Sequence, residues 1–131
     1  MLFRSSIHDS KAGLSLDSVV TDVIQLPIGS FTASNGANNN ITLPNKSFIR
    51  VTGPTGAFSI TGITKPANPD GRVVILYNTT SQNMTITNDA TSTAANRILP
   101  GQGDVATTGK GIVSLIYSVT DARWILLTKL V

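Results

Sequence analysis

The chain contains a single histidine, which is the first candidate for acid–base chemistry. His8 is followed directly by Asp9, and both lie in a polar segment with few apolar residues. A Ser-His-Asp catalytic arrangement needs an imidazole that is held rigidly against its nucleophile, and a general base must first have the right geometry. Nothing around His8 would hold it in place. We therefore expect no catalytic role for this histidine.

All acidic residues are aspartates, and glutamate is absent. A pair of carboxylates could cleave a glycosidic bond, but aspartate is also common in turns because it hydrogen-bonds to nearby backbone groups. The turn interpretation is favoured, so the chain is not predicted to be an enzyme. The aspartates concerned lie in segments with the composition of turns, at Asp70, Asp89, Asp104 and Asp121.

Metal and cofactor sites have no matching pattern in the sequence. The absence of cysteine excludes disulfides and thiolate metal sites. A calcium loop needs several oxygen ligands at short spacing, and Asp89 has no second carboxylate close by in the sequence. The glycines between residues 101 and 111 do not follow a strand and open a helix, as a phosphate-binding loop requires. No cofactor is predicted.

Trp124 is the only tryptophan and follows Arg123 at the start of a predicted strand. Its ring could stack on a sugar ring, or it could anchor the rim of the core. The anchor interpretation is favoured because Trp124 begins the strand that closes the sheet. Ligand stacking is kept as the alternative.

The charge distribution argues against nucleic-acid and membrane partners. Charged residues make up 13% of the chain, against about 25% in an average soluble domain. The net charge is +3 without a basic run, whereas nucleic-acid binders cluster their Lys and Arg residues. No apolar run approaches the roughly 20 residues that span a bilayer, and the first residues lack the apolar core of a signal peptide.

The elements that would position these side chains are strands. Residues 111–131 contain two apolar, β-branched runs around a polar turn at 120–123, which predicts an antiparallel hairpin. Apolar residues in this hairpin and at 72–77 barely alternate with polar ones. Both faces of these strands are therefore expected to be covered, one by a second sheet and the other by a neighbouring subunit. Turn signals every 8–12 residues or so predict about eight short strands. The expected fold is all-β, a single antiparallel β-sandwich or small jelly roll, without an evident repeat of roughly 20–50 residues.

Two parts of the chain are expected, an N-terminal attachment arm at residues 1–27 and a β-sandwich domain at residues 28–131. Residues 16–24 have helical apolar spacing, with Pro27 as a stop, but their β-branched side chains favour a strand. Both a short helix and an edge strand stay open. The apolar residues expected to bind a partner are Leu2, Phe3, Ile7, Leu16, Val19, Val20, Val23 and Ile24.

Several sequence pieces resemble a β-module of bacteriophage virion proteins, among them tail-fibre and capsid-surface proteins. The resemblance covers about half of the chain and contains structural motifs without active-site residues. It implies a homotrimeric β-sandwich in a virion. The pieces are Phe58-Ser-Ile-Thr-Gly-Ile63, Gly71-Arg-Val-Val-Ile-Leu-Tyr-Asn78, Asn83-Met-Thr-Ile86, Ala95-Asn-Arg-Ile98, Gly111-Ile-Val-Ser-Leu-Ile-Tyr117 and Arg123-Trp-Ile-Leu126.

The short arm decides between positions in the virion. Tail fibres commonly carry long repetitive shafts ahead of such a module, and this chain starts with only a short arm. We therefore expect a capsid decoration (cement) or head-fibre protein that binds the major capsid protein, or another virion protein, through its arm. The alternative is a short tail-fibre or tail-tip protein that recognises a host surface glycan.

Overall fold

The computed structural model describes Val23, residues 25–101 and residues 103–130. Nearly all of the expected attachment arm lies outside these residues, so the choice between helix and strand at 16–24 stays open. Val23, the one described residue of the apolar arm set, is 72% exposed. The other members of that set lie outside the described residues: Leu2, Phe3, Ile7, Leu16, Val19, Val20 and Ile24.

The described residues form ten strands and one short 3-10 turn, which confirms the all-β class. The absence of Glu and the abundance of β-branched residues account for this preference. The strands are β1 (Ile28–Thr32), β2 (Gly36–Asn38), β3 (Phe48–Thr52), β4 (Phe58–Ile60), β5 (Val73–Asn78), β6 (Met84–Ile86), β7 (Ile98–Leu99), β8 (Val105–Thr107), β9 (Ile112–Ser118) and β10 (Arg123–Leu130), with the 3-10 turn at Ala94–Asn96.

The strands form two sheets, and their pairing corrects the expected topology. The first sheet has the order β1-β3-β5-β9-β10-β7, and the second has the order β2-β4-β6-β8. Parallel pairs join β1 to β3 to β5, β2 to β4 to β6, and β7 to β10. The expected antiparallel sandwich or jelly roll is therefore wrong in its pairing, and the arrangement is solenoid-like. Each turn after β1, β3 and β5 carries the chain to the other sheet instead of reversing it within one sheet.

Three successive coils build this arrangement: β1 with β2, β3 with β4, and β5 with β6. Ile28 pairs with Phe48, and Phe48 with Ile75, so equivalent positions lie about 20 to 27 residues apart. The second sheet repeats in the same way. This is a repeat that sequence inspection missed, because loops of unequal length separate the coils.

The C-terminal part closes the solenoid with antiparallel strands. Strand β8 pairs with β6, and β9 pairs with β5 and β10. The predicted hairpin is confirmed, although its loop lies one residue earlier, at 119–122. Ala122 has a φ of 51° there, and its N–H donates a hydrogen bond to the Val119 carbonyl at 3.1 Å. A bulge between Leu126 and Thr128 leaves Leu127 55% exposed.

The core lies between the two sheets and is one cluster of buried side chains. In β5 and β9 every second residue is buried, as expected when one face of a strand packs on the core. Full burial of each aliphatic side chain contributes about 1.5–3 kcal/mol relative to exposure. The fully buried aliphatic residues include Ile49, Val51, Leu76, Val113 and Leu115 from the first sheet and Ile60, Met84 and Ile86 from the second.

A buried polar network holds the first two coils together. The Asn38 amide donates hydrogen bonds to the carbonyls of Ser34, Gly36 and Ser59 at 2.9–3.1 Å, and its oxygen accepts one from the Ser34 N–H at 2.9 Å. The Thr61 hydroxyl hydrogen-bonds to the Asn38 carbonyl at 3.1 Å. Because these groups are satisfied, burying them is not costly. The network sets the stacking of one coil on the next.

Candidate functional site

The side of the first sheet that faces away from the core, here called the outer face, is largely apolar. Ile28, Phe48 and Ile75 are neighbours across three strands. On the adjoining strands, Ile116 pairs with both Val73 and Ile125. A solvent-facing sheet face normally carries polar residues. The remaining members of the outer face include Ser30, Thr32, Arg50, Thr52, Tyr77, Ile112, Ser114, Ser118, Arg123 and Thr128.

Most of these apolar side chains are half-buried within the described chain, and Ile28 is 48% exposed. The rings of Phe48 and Tyr77 lie 6.3 Å apart on this face. The sequence predicts that both faces of β5 and of β9 are covered. One face is buried in the core, and the second is an apolar surface that the described residues leave partly open.

The opposite outer surface, on the second sheet, has different chemistry. The cross-strand neighbours Ala37, Ser59, Thr85 and Ala106 lie on it. These residues are small or polar, as on an ordinary solvated face. Large apolar outward residues are therefore a property of the first sheet and not of the fold as a whole.

A cleft of about 380 Å³ is a second candidate site. Its walls are two segments that return the chain from the second sheet to the first, at 42–45 and 63–68, together with Arg72 and Val74 near the start of β5. The two segments stack through a parallel bridge between Ile41 and Ile63. Both begin with the pattern Ile-Thr-x-Pro, and this short repeat was the sequence signal that could have located the cleft.

The cleft carries two positive charges, from Lys65 and Arg72, and none of the described residues lining it is acidic. The Arg72 guanidinium donates from Nη1 to the Asn45 side-chain oxygen at 2.6 Å and from Nη2 to the Lys46 carbonyl at 3.4 Å. Its Nε is buried without a hydrogen-bond partner among the described residues. Sequence inspection treated Arg72 as one of several scattered arginines and missed this site.

Trp124 lies beneath the cleft and is 1% exposed. Its Nε1–H donates a hydrogen bond to the Ile63 carbonyl at 2.9 Å. Its ring meets that of Tyr117 edge to face, with centroids 5.3 Å apart. The Tyr117 hydroxyl donates to the Ala95 carbonyl at 2.9 Å, and burial raises the pKa of the Tyr117 phenol. In this arrangement Trp124 packs as part of the core.

Asp89 and Asp121 stabilise their own turns, as the turn interpretation predicted. Asp89 accepts two hydrogen bonds from Thr91, which hold the pKa of its carboxyl below the ordinary value. Asp121 accepts one from the Ser118 hydroxyl at 2.6 Å. The Asp70 carboxylate instead accepts a hydrogen bond from the Val119 N–H at 2.9 Å, so it ties its turn to the distant loop between β9 and β10.

The described part of the chain contains neither a cluster of metal ligands nor a membrane-spanning helix. Within residues 25–101 and 103–130, together with Val23, no three His, Cys, Asp or Glu side chains come together as metal ligands. His8 lies outside this part. The same residues contain no helix of the length and apolarity needed to cross a membrane.

Compared with protein-family models, curated proteins and solved structures, the chain matches none of them. The resemblance to phage virion modules therefore stays a prediction. Two features of the molecule bear on function, the apolar outer face of the first sheet and the cationic cleft.

Proposed function

We propose that the protein is a bacteriophage structural protein, a capsid decoration (cement) or head-fibre protein on the virion surface. It assembles as a homotrimer, binds the major capsid protein or another virion protein through its N-terminal arm, and stabilises the particle. The sequence resemblance supports the virion setting. The observation that carries the proposal is the apolar outer face of the first sheet.

The outer face by itself is smaller than a standard subunit contact. Its strands hold from two to eight residues, and at roughly 3.3 Å per residue and about 4.8 Å between strands they cover an area on the order of 500 Å². A standard interface buries about 800 Å² per partner, so the surrounding loops would have to contribute. Three copies around a threefold axis would bring three such faces together in a closed cyclic arrangement, one of the symmetries that soluble homo-oligomers adopt.

Light scattering after gel filtration tests the trimer. The expected mass is about three times the 13.8 kDa of one chain. Ile75→Asp places a charge at the centre of the outer face, where an unpaired buried charge is strongly unfavourable, and is expected to give folded monomers. Thr85→Asp, on the outer face of the second sheet, is the matched control. A monomeric wild type at micromolar concentration, or equal behaviour of the two variants, would refute the interface.

The arm is proposed as the attachment segment because it joins the solenoid at its first coil. Strands β1 and β2 each lie at the end of a sheet, and such edges are natural sites for pairing with another chain. Ordering the arm costs about 1–2 kcal/mol per residue in backbone entropy, which burial on a partner would offset. Three arms on one trimer would raise the effective concentration of each contact.

A truncated chain that starts at Ile28 tests this role. It is expected to fold and trimerise but not to bind particles that lack the native protein, whereas the full chain binds them. Circular dichroism and light scattering establish that the truncated protein is intact. If it bound particles as tightly as the full chain, the solenoid itself would be the attachment surface and the arm would not.

A second candidate is a short tail-fibre or tail-tip protein that binds a host surface glycan, and the cationic cleft favours it. The two candidates place the protein at different sites. Cryo-electron microscopy of the source particle would show density on the capsid surface for the first and at the tail for the second.

A further inference from the structure

The cationic cleft contains donors that the fold leaves unused. Arg72 has one engaged hydrogen on each Nη atom, and its buried Nε–H has no partner among the described residues. The Nε–H is enclosed by protein atoms, so it is not a donor for a ligand in the cleft. The donors left for a ligand are the second hydrogens of the two Nη atoms.

The guanidinium is also held in place before any ligand arrives. Its bonds to Asn45 and to the Lys46 carbonyl fix the plane of the group. A fixed guanidinium fork suits a planar carboxylate, which it can bind with two parallel hydrogen bonds. Preorganisation of this kind favours binding because less freedom is lost. The Lys65 ammonium, for which the described residues supply no hydrogen-bond partner, adds a second positive charge at the same cleft.

The remaining lining combines neutral polar groups with apolar surface. The Thr64 hydroxyl donates to the Asn40 carbonyl at 3.0 Å and lies 3.4 Å from the Thr42 hydroxyl, so Thr64 can offer a ligand only acceptor lone pairs. Asn68 adds a side-chain amide. Pro44 and Pro66 contribute apolar surface. Hydroxyls and amides match the hydroxyls of a sugar, and proline rings match its C–H faces. A volume of about 380 Å³ lies within the range of small-molecule sites.

We propose that the cleft binds the carboxylate of an acidic sugar, a uronic or sialic acid unit of a surface glycan. An extended peptide fits less well because the walls of the cleft offer it no strand edge. The Thr64 N–H donates to the Ile41 carbonyl at 2.8 Å, and the Lys65 N–H donates to the Asn96 side chain at 2.9 Å. These two backbone N–H groups are already hydrogen-bonded and are not available to pair with an added strand.

This inference deepens the second candidate function and rests on it for the source of the ligand. Binding by the purified full chain and attachment to host cells are separate measurements, so either can fail alone. Binding of the sugar without attachment to cells would refute the receptor role and leave the cleft assignment standing. Attachment to cells without sugar binding would refute the cleft assignment alone.

The experiment is an NMR titration of the isotope-labelled full chain with glucuronic acid and with N-acetylneuraminic acid. Glucose is the neutral control, and N-acetylglycine is the carboxylate without a sugar ring. An acidic sugar is expected to shift the resonances of the cleft at millimolar concentration and to bind less tightly as salt is added. Glucose and N-acetylglycine are expected to bind at least about tenfold more weakly, because each lacks part of the recognised chemistry.

Three variants locate the site. Arg72→Gln is expected to weaken binding of the acidic sugar by about tenfold or more, since it removes a charged donor. Lys65→Gln is expected to weaken it by about threefold through loss of a more exposed charge. Lys129→Gln, which changes an exposed lysine that does not line the cleft, is the matched control and is expected to have no effect.

Because Arg72 also supports the 45–46 loop, its variant is first compared with wild type by thermal melting. If it does not fold, the comparison of Lys65→Gln with Lys129→Gln decides the matter, since the Lys65 ammonium has no described structural contact. The proposal is overturned if neither acidic sugar shifts the cleft resonances, if glucose binds as tightly, or if N-acetylglycine binds as tightly. The last result would assign the cleft to a peptide carboxylate.

Discussion

Truncation of Trp124 tests how the C-terminal hairpin is held against the coils. The side chain is 1% exposed, hydrogen-bonded to the Ile63 carbonyl and in edge-to-face contact with Tyr117. It therefore joins β10 to the second coil and to β9. Trp124→Ala removes all three contributions at once. Trp124→Phe keeps an aromatic ring but loses the donor to Ile63.

The magnitude follows from these contacts. Replacing a buried Trp by Ala costs about 3–5 kcal/mol from lost burial and the remaining cavity, and the edge-to-face contact adds about 0.5–1.5 kcal/mol. Trp124→Phe should cost about 1–2 kcal/mol, because the Ile63 carbonyl loses its partner. At about 4 °C per kcal/mol for a domain near 100 residues, Trp124→Ala is expected to lower the Tm by at least about 12 °C.

Calorimetry measures this loss, and circular dichroism follows the β-structure. Leu127→Ala is the matched control on the same strand, since Leu127 is 55% exposed at the bulge and its loss should change stability by less than about 0.5 kcal/mol. The reasoning fails if Trp124→Ala melts within a few degrees of wild type. If glycan binding disappeared at the same time, Trp124 would belong to a ligand site.

Three further outcomes are expected. Burial raises the pKa of Tyr117 above 10.0, so the folded state keeps the phenol proton to higher pH than the unfolded state does. Urea unfolding should therefore show the full stability below pH 10.0 and a loss of stability as pH rises through the raised pKa. Tyr117→Phe should abolish the alkaline loss and cost about 1 kcal/mol for the hydroxyl hydrogen bond. The hydrogen bonds from Thr91 hold the pKa of Asp89 below 3.8, so they stop supporting the turn as pH falls through that lowered pKa. In Thr91→Ala, an NMR titration should show the Asp89 pKa returning towards 3.8, and an unchanged pKa would contradict the assignment. Asn38→Ala should cost about 2–3 kcal/mol, since the buried Asn38 amide, 8% exposed, loses its hydrogen bonds to three carbonyls. The exposed Asn35→Ala should cost about 1 kcal/mol, and equal losses in chemical denaturation would show that burial does not matter here.

The sequence by itself determined the class of structure and one complete element. The many β-branched residues and the absence of Glu favour strands over helices. This preference is a local property of each residue, so it can be read without knowing the fold. The hairpin of β9 and β10 could be predicted because its strands are adjacent in sequence and its loop at 119–122 has turn chemistry of its own. The turn roles of Asp89 and Asp121 were local in the same way, whereas the bond from Val119 to Asp70 depends on the tertiary structure.

Only the tertiary structure decided which strands pair and in which direction. A turn such as the one at Gly53, with a φ of 105°, is equally suited to reversing a strand within one sheet and to carrying the chain across to the other. The choice depends on whether Ile49 lies beside Leu76, both fully buried, or beside a residue of its own coil, and this is a matter of core packing between residues far apart in sequence. The cationic cleft has the same origin. Asn45 lies in the connection before β3, and Lys65 and Arg72 lie in the connection before β5. The stacking of these connections brings an amide and two cations to one surface.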